Sequence, residues 1–297
     1  MLPDHMGVRK PAVSRGSKMS IYAVRHGVFG KAVIMDLSRP VVKHIHLDYH
    51  LFIPLGGGAA RFKVGRETHL LSSSQCIGVN PWQPHSYQLI DGCDPVLALV
   101  MYLDPVWLSK IFEDMNFKWH QRLNCVVMGP QIERAGAKLA AKMMGLFDKV
   151  DEAHQFNTLV QNLCFEFVDQ DYRMENAATP SSCLQFKVPA DFRLRKSLAY
   201  MQENMDSRCS LDMVARQSGM SRPWFFHRFR EQTGVTPNMY WDSLRMDAAF
   251  SKLSGEDTSI CNVSFDLGFS SQSNFTRFFV NHFNAAPSEF RIASAQM

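Results

Sequence analysis

Apolar positions change their period along this 297-residue chain, and the changes divide it into parts. From residue 21 to 102 short apolar runs alternate with Gly, Pro, Ser and Asp: Ala32-Val33-Ile34-Met35, His50-Leu51-Phe52-Ile53, Arg61-Phe62-Lys63-Val64, Cys76-Ile77-Gly78-Val79 and Val96-Leu97-Ala98-Leu99-Val100. Runs of this length and spacing predict strands of a barrel or sandwich. Asp104-Pro105 then supplies an N-cap and a first helical residue, after which Leu108, Ile111, Phe112 and Met115 share one face. Two more helices are predicted near 131–149 (Ala135, Leu139, Leu146) and 155–170 (Phe156, Leu159, Val160, Leu163, Phe167). Their stripes need a surface to cover; the adjoining barrel is one, and a dimer seam is the other. Between Arg173 and Ala190 the periodicity fades into Asn, Ala, Thr, Pro and Ser, as in a connector. Leu194, Leu198, Met201 and Met205, spaced by four, three and four, open a helical region. The expected organisation is a flexible segment 1–20, a β-rich domain 21–172, a linker 173–190 and an all-α domain 191–297, with a core in each domain.

The all-α region carries one pattern twice. Gly219-Met220-Ser221, Phe225, Phe229 and Pro237 are followed by Gly268-Phe269-Ser270, Phe275, Phe279 and Pro287, the last three in each set lying 50 residues apart. Each half reads as a helix, a Gly-permitted turn, a Ser cap and a second helix, which is a helix-turn-helix, here over 211–232 and 259–282. Gly234 ends the first unit, and Thr236-Pro237 caps and begins a long helix to about Leu253. With the phenylalanines turned inward, the second helix of the first unit offers Arg222, Phe226, His227 and Arg230, and that of the second unit offers Gln272, Ser273, Thr276 and Arg277. Arg and Gln make bidentate contacts with guanine and adenine, so both outward faces suit DNA. A purely structural repeat does not call for polar and basic residues on both.

These residues, with Thr233-Gly234, Tyr240, Leu244-Arg245, Gln272-Ser273, Phe283 and Arg291, resemble the DNA-binding domain of AraC/XylS-type transcription regulators over roughly 191–292. The resemblance implies two helix-turn-helix units held apart by the long helix so that one domain reads two adjacent major grooves. It departs from the family pattern at His227, where a basic residue is usual, and at Phe226, in a usually polar slot. Ser264 replaces a small Ala, Asn284 stands at a helix end usually held by Gly, and Ala286 is a poorer cap than Thr236.

More loosely, His44 to Tyr87 resembles the cupin-like barrel that many such regulators place first, with Gly65-Arg66-Glu67 as a hairpin and Asn80-Pro81-Trp82-Gln83-Pro84-His85 before a strand. Enzymatic cupins hold a metal there, and His44, His46, His50 and His85 could approximate three or four imidazole ligands, His44 and His46 by strand alternation. The usual carboxylate is missing, so no metal or other cofactor is assigned. The preferred reading is an organic-effector pocket lined by His44, His46, His50, Phe52, Trp82 and His85, with Tyr49 beside them, or else satisfied polar residues; Asp48, of opposite parity, is expected to face solvent.

Composition adds limits. An apolar fraction of 46% suits a globular chain, and a net charge of +4 favours acidic partners only weakly. No apolar run approaches the roughly 18 residues of a membrane span, and Met1 to Ser20 lacks the apolar stretch of a secretory signal. Cys76, Cys93, Cys125, Cys164, Cys183, Cys209 and Cys261 are scattered without the close pairs of zinc or dithiol sites, which fits reduced thiols in the cytoplasm. Gly56-Gly57-Gly58 is followed by no Lys-Ser or Lys-Thr, and no nucleophile, base and orienting acid can be nominated, so no enzymatic activity is expected. The resulting expectation is a cytoplasmic, homodimeric regulator of promoter DNA controlled by a small effector, with RNA polymerase a further candidate partner. The rival readings are a metal-dependent cupin enzyme with an appended helical domain and an effector-independent regulator.

Overall fold

The computed structural model describes residues 20–114, 123–145, 152–175, 189–205, 209–255 and 258–295. Its β-rich part holds β1 (Ile21–Gly27), β2 (Gly30–Leu37), β3 (Val41–His44), β4 (Tyr49–Gly57), β5 (Ala60–Val64), β6 (Glu67–Leu71), β7 (Gln75–Val79), β8 (His85–Leu89) and β9 (Val96–Leu103). Helix α1 (Pro105–Asp114), β10 (Val126–Val127), α2 (Pro130–Met143) and α3 (Glu152–Glu175) follow. The strands form two sheets, in the orders β1-β2-β9-β4-β7-β10 and β3-β8-β5-β6, with every pairing antiparallel.

Alternation along the strands sends side chains to two different cores. Val33, Met35, Phe52, Val100 and Tyr102 of the larger sheet meet Phe62, Val64 and Tyr87 of the smaller one. The Phe52 and Phe62 rings lie 4.6 Å apart, and Phe62 stacks on Tyr87 at 5.0 Å. Ile34, Leu51, Ile53, Leu99 and Met101 point the other way, under Leu108, Leu139, Val160, Leu163 and Phe167 of the helices. Covered on both faces, β9 is buried throughout, which is why it reads as an unbroken apolar run. The stripes of α2 and α3 are thus core; Met115 and Leu146 lie outside the described residues. Tyr49 is a correction: its parity opposes that of His50 and Phe52, and it packs with the outer helices rather than inside the barrel.

The helical part comprises α4 (Phe192–Glu203), α5 (Leu211–Gln217), α6 (Arg222–Thr233), α7 (Pro237–Ser254), α8 (Ile260–Asp266), α9 (Gln272–Phe283) and α10 (Pro287–Ala295). Its two turns use Gly219 at φ 69° and Gly268 at φ 80°, and Asn284 takes the left-handed cap at φ 69°. The side chains of Ser210, Thr236, Ser259 and Ser271 accept backbone N–H groups three residues on. Two cap expectations need correction. Ser221 stands at the N-cap without such a bond, and Pro223 in the first turn leaves one fewer N–H to cap. In the second unit the cap is Ser271, while Ser270 accepts from the Asn274 side chain at 2.8 Å. At α10 the poor cap Ala286 is compensated by Glu289, which accepts the Ala286 N–H at 2.8 Å.

The two parts do not have separate cores. Phe250 of α7, Phe275, Phe279 and Phe283 of α9 and Phe290 of α10 continue the interior of the barrel, while α10 lies against β1 and α9 against β3. The first unit surrounds Phe225, Phe229 and Tyr240 and also draws in Ile45. Phe275 is fully buried in the shared core. Phe275→Ala is expected to cost about 3–5 kcal/mol in denaturant unfolding; a loss below about 1 kcal/mol would show that this core is loosely packed.

Candidate DNA-reading surface and a buried histidine chamber

On α9, Gln272, Ser273 and Arg277 are exposed and Thr276 is half-buried, while Phe275, Phe279 and Phe283 are buried on the opposite face. On α6, Arg222, His227 and Arg230 are exposed, and Phe226 is half-buried, edge-on to Phe225 with ring centroids 5.7 Å apart. Nη1 of Arg222 donates to both carboxylate oxygens of Asp212 at 2.7 Å, and its guanidinium lies 5.3 Å from the Phe226 ring. An exposed ion pair of this kind contributes about 0–1 kcal/mol, so exchanging Asp212 for a phosphate costs Arg222 little. Both outward faces therefore offer the donors that the sequence assigned to them.

The four histidines converge by a route other than strand alternation. His44 ends β3 and pairs directly across to His85 at the start of β8; His50 belongs to β4 in the other sheet; His46 lies in the connection where the chain crosses between sheets. Ring centroids are 4.2 Å apart for His44 and His85, 4.7 Å for His44 and His46, and 4.8 Å for His46 and His50. All four are buried. Nδ1 of His44 donates to the Val42 carbonyl at 2.7 Å and Nδ1 of His85 to the Gln83 carbonyl at 3.0 Å, which fixes both Nε2 atoms as acceptors. His46 Nε2 then donates to His44 Nε2 at 3.0 Å, and His50 Nδ1 to His85 Nε2 at 3.4 Å. This leaves His46 Nδ1 and His50 Nε2 as buried acceptors without a partner, each at a cost of about 1–3 kcal/mol. Desolvation holds all four imidazoles below their usual pKa, His85 at about 4, so they are neutral.

Beside them lies a cavity of about 20 Å³, lined by His44, His50, Phe52, Tyr87 and Tyr102 and closed by His282 and Phe283 at the end of α9. The space suits a water, not an organic molecule. The Tyr87 hydroxyl is buried there without a partner. Trp82 is a correction to the expected pocket lining. At φ 64° its turn carries the indole away from the chamber to stack on Tyr240 of α7, with centroids 4.8 Å apart and planes within 13°.

Residues that local pattern did not single out tie the barrel to the reading head. Lys31, buried in β2, places Nζ 3.8 Å from the Tyr102 centroid and 4.1 Å from that of Phe250. Burial lowers its pKa, while Asp247 and Asp48 favour the cation. Asp48 is thus not the solvent-facing residue expected from parity: it is half-buried and interacts with Lys31. Burial raises the Asp247 carboxyl to about 6, and Lys31 opposes that rise. Asn284 Nδ2 donates to the Asp36 carbonyl at 2.7 Å, and Ser20 Oγ to Glu289 at 3.2 Å. The one legible sign of Lys31 was a cation directly before the apolar run Ala32 to Met35 of its strand.

A two-sheet barrel joined to paired helix-turn-helix units defines a DNA-binding regulator with a sensor-type domain. An AraC-like ligand binding domain model matches residues 39–162 and a helix-turn-helix domain model residues 214–293, together more than half of the chain. The chain is 22% identical over 265 residues to the HTH-type transcriptional activator RhaS of Mannheimia succiniciproducens, covering 84% of this chain and 89% of that protein. It is 29% identical over 255 residues to an Escherichia coli RhaS, covering 83% and 86%. Against another Escherichia coli RhaS the match is 30% over 99 residues, 33% of this chain and 36% of that protein. Unsaturated-fatty-acid-bound ToxT from Vibrio cholerae shares the fold at a TM-score of 0.54 and 14% identity, over 92% of this chain and 98% of that one. The protein belongs to the AraC family of DNA-binding transcription regulators. Among the described residues no helix is long and apolar enough to cross a membrane.

The Lys31–Asp247 interaction has a defined sign. Asp247 holds its proton more tightly in the docked fold than its unfolded value of 3.8 allows, so its contribution to stability falls as pH rises from 3.8 through about 6. In Lys31→Met the opposing cation is gone, and desolvation together with the Asp48 charge acts unopposed. The Asp247 carboxyl is then expected to titrate above its wild-type midpoint in carbon-detected NMR; an unmoved midpoint would show that Lys31 does not face it.

Proposed function

We propose that this regulator reads promoter DNA through Arg222, Phe226, His227 and Arg230 of α6 together with Gln272, Ser273, Thr276 and Arg277 of α9, and that a small effector in the barrel controls α9. One observation supports the control: the chamber's closing wall is His282 and Phe283, the last two residues of α9. Any molecule larger than water must displace that wall to enter, so filling the barrel and docking the reading head compete for one volume. The effector this suits is compact and mostly apolar, with a polar group to meet the Tyr87 hydroxyl and His50 Nε2. It acts only through its preference for the undocked arrangement. Phosphate contacts supply salt-dependent affinity, and the two outward faces supply sequence choice. The setting is the cytoplasm, beside RNA polymerase at a promoter. A homodimer on a two-part operator needs exposed surface for its seam, since the α2 and α3 stripes are spent on the barrel.

Arg277→Ala is expected to remove about 1–3 kcal/mol of discrimination at one base pair of a selected operator. Equal loss on matched and scrambled duplexes, in a gel-shift titration at fixed salt, would make Arg277 a phosphate contact instead. Asn284→Gly keeps the left-handed cap but deletes the bond to the Asp36 carbonyl. With a buried hydrogen bond contributing about 0.5–1.5 kcal/mol, effector-free operator affinity should rise roughly two- to tenfold; unchanged or weaker binding would mean that docking does not restrain the reading head.

A further inference from the structure

The geometry points to a binding site for one divalent transition-metal ion of the zinc type, held by the imidazoles of His44, His46 and His85. Their candidate ligand nitrogens all lie within 4.8 Å of one another, and His44 Nε2 and His46 Nε2 are already 3.0 Å apart. A tetrahedral ion with nitrogen ligands at about 2.0–2.1 Å needs its ligands about 3.3 Å apart, so the widest separation in the set has to contract by up to about 1.5 Å. Two ligands are oriented in advance. His44 and His85 each spend Nδ1–H on a backbone carbonyl, of Val42 and Gln83, and so present Nε2 lone pairs inward, the outer-shell arrangement that fixes a metal-binding imidazole.

The unpartnered atoms are a separate observation. His46 Nδ1 and His50 Nε2 are lone-pair acceptors in a cluster where each imidazole N–H is already used. Neither nitrogen receives a protein hydrogen bond, and a Lewis acid would relieve the acceptor excess among the imidazoles; turning the His46 ring to offer a nitrogen to the ion frees its present bond to His44. His50, 5.5 Å from His85 between ring centroids, is then the neighbour able to bond a fourth, exogenous ligand. The donor set is all nitrogen, with no carboxylate or thiolate among the three residues, which suits zinc, copper, nickel or iron rather than magnesium or calcium. This ion site was not assigned from sequence, where strand alternation and a missing carboxylate were the guides.

The test uses the full chain, stripped with chelator, dialysed against micromolar zinc chloride and analysed for bound metal by mass spectrometry, with cobalt(II) as a spectroscopic probe. One equivalent of zinc is expected in the wild type, with cobalt ligand-field bands lacking thiolate charge transfer. His44→Gln and His85→Gln should each lower zinc affinity at least tenfold, the loss that removing even an outer-shell partner typically causes, while His69→Gln, on β6 and outside the cluster, leaves it unchanged. A wild-type chain that retains no ion overturns the proposal, whatever the variants do. So does a cobalt spectrum with thiolate bands, or a folded His85→Gln chain, checked by circular dichroism, that still holds one equivalent at wild-type affinity. None of these readouts involves DNA, so the regulatory reading stands or falls separately.

Discussion

Much of the molecule follows from the docking of an aromatic cluster from α7, α9 and α10 against the open side of the barrel. Phe250, Phe279, Phe283 and Phe290 pack together with ring centroids 4.8–6.1 Å apart and continue the core that Phe52, Phe62 and Tyr102 begin. Lys31 lies between Tyr102 and Phe250, one ring from each part, so the cation is sealed from water only while the parts stay together. A buried ammonium is costly unless compensated. Here the compensation is shared between Asp48 on the barrel and Asp247 on α7, and parting the domains would return all three groups to water. The interface therefore combines apolar burial, which favours docking, with buried charge, which opposes it. A balance of that kind is compatible with a switch, because neither term alone decides the outcome.

The sequence disclosed what is periodic and local. The spacing of Phe225 and Phe229 against Phe275 and Phe279, the Gly219 and Gly268 turns, the long helix after Thr236-Pro237 and the left-handed Asn284 all follow from short-range rules, and the structure places them so. Exposure of Gln272 and Arg277 follows as well, since it only requires the phenylalanines to point inward. What could not be read depends on partners distant in sequence. Nothing within a few residues of Lys31 reveals Phe250, and nothing near Trp82 reveals Tyr240. Parity misled at Asp48 because the 45–48 connection resets the alternation between sheets, whereas Tyr49 was placed beside His50 and Phe52 against its own parity, on a strand whose two covered faces give no polar side to reveal its orientation. The same reset brings His46 to His44 by a path that strand geometry does not describe.

Burial explains why the histidine cluster is neutral and why it is poorly satisfied. Four imidazoles so close cannot share water, and four cations there would repel one another, so desolvation and proximity both act against protonation. Neutral imidazole has one donor and one acceptor, and a closed group bonded outward to two carbonyls must end with more acceptors than donors. The orphan nitrogens are thus a consequence of the backbone bonds of His44 and His85, not of loose packing. Such a cluster is a costly way to fill a core that Leu or Val could fill, which is the physical reason to look for a ligand there.

The size of the chamber connects these elements. With about 20 Å³ free, the docked fold has no room for an organic effector, yet the same chamber becomes accessible if α9 gives up the position of Phe283. Occupancy of the barrel and docking of α9 are then linked equilibria, and linkage is reciprocal: whatever lowers the docked population raises effector affinity by the same factor. On the proposed reading, DNA that held α9 away from the barrel would act on effector binding as the effector acts on DNA binding. No pathway of intervening residues is needed for this coupling, because the reading helix itself forms the wall of the chamber.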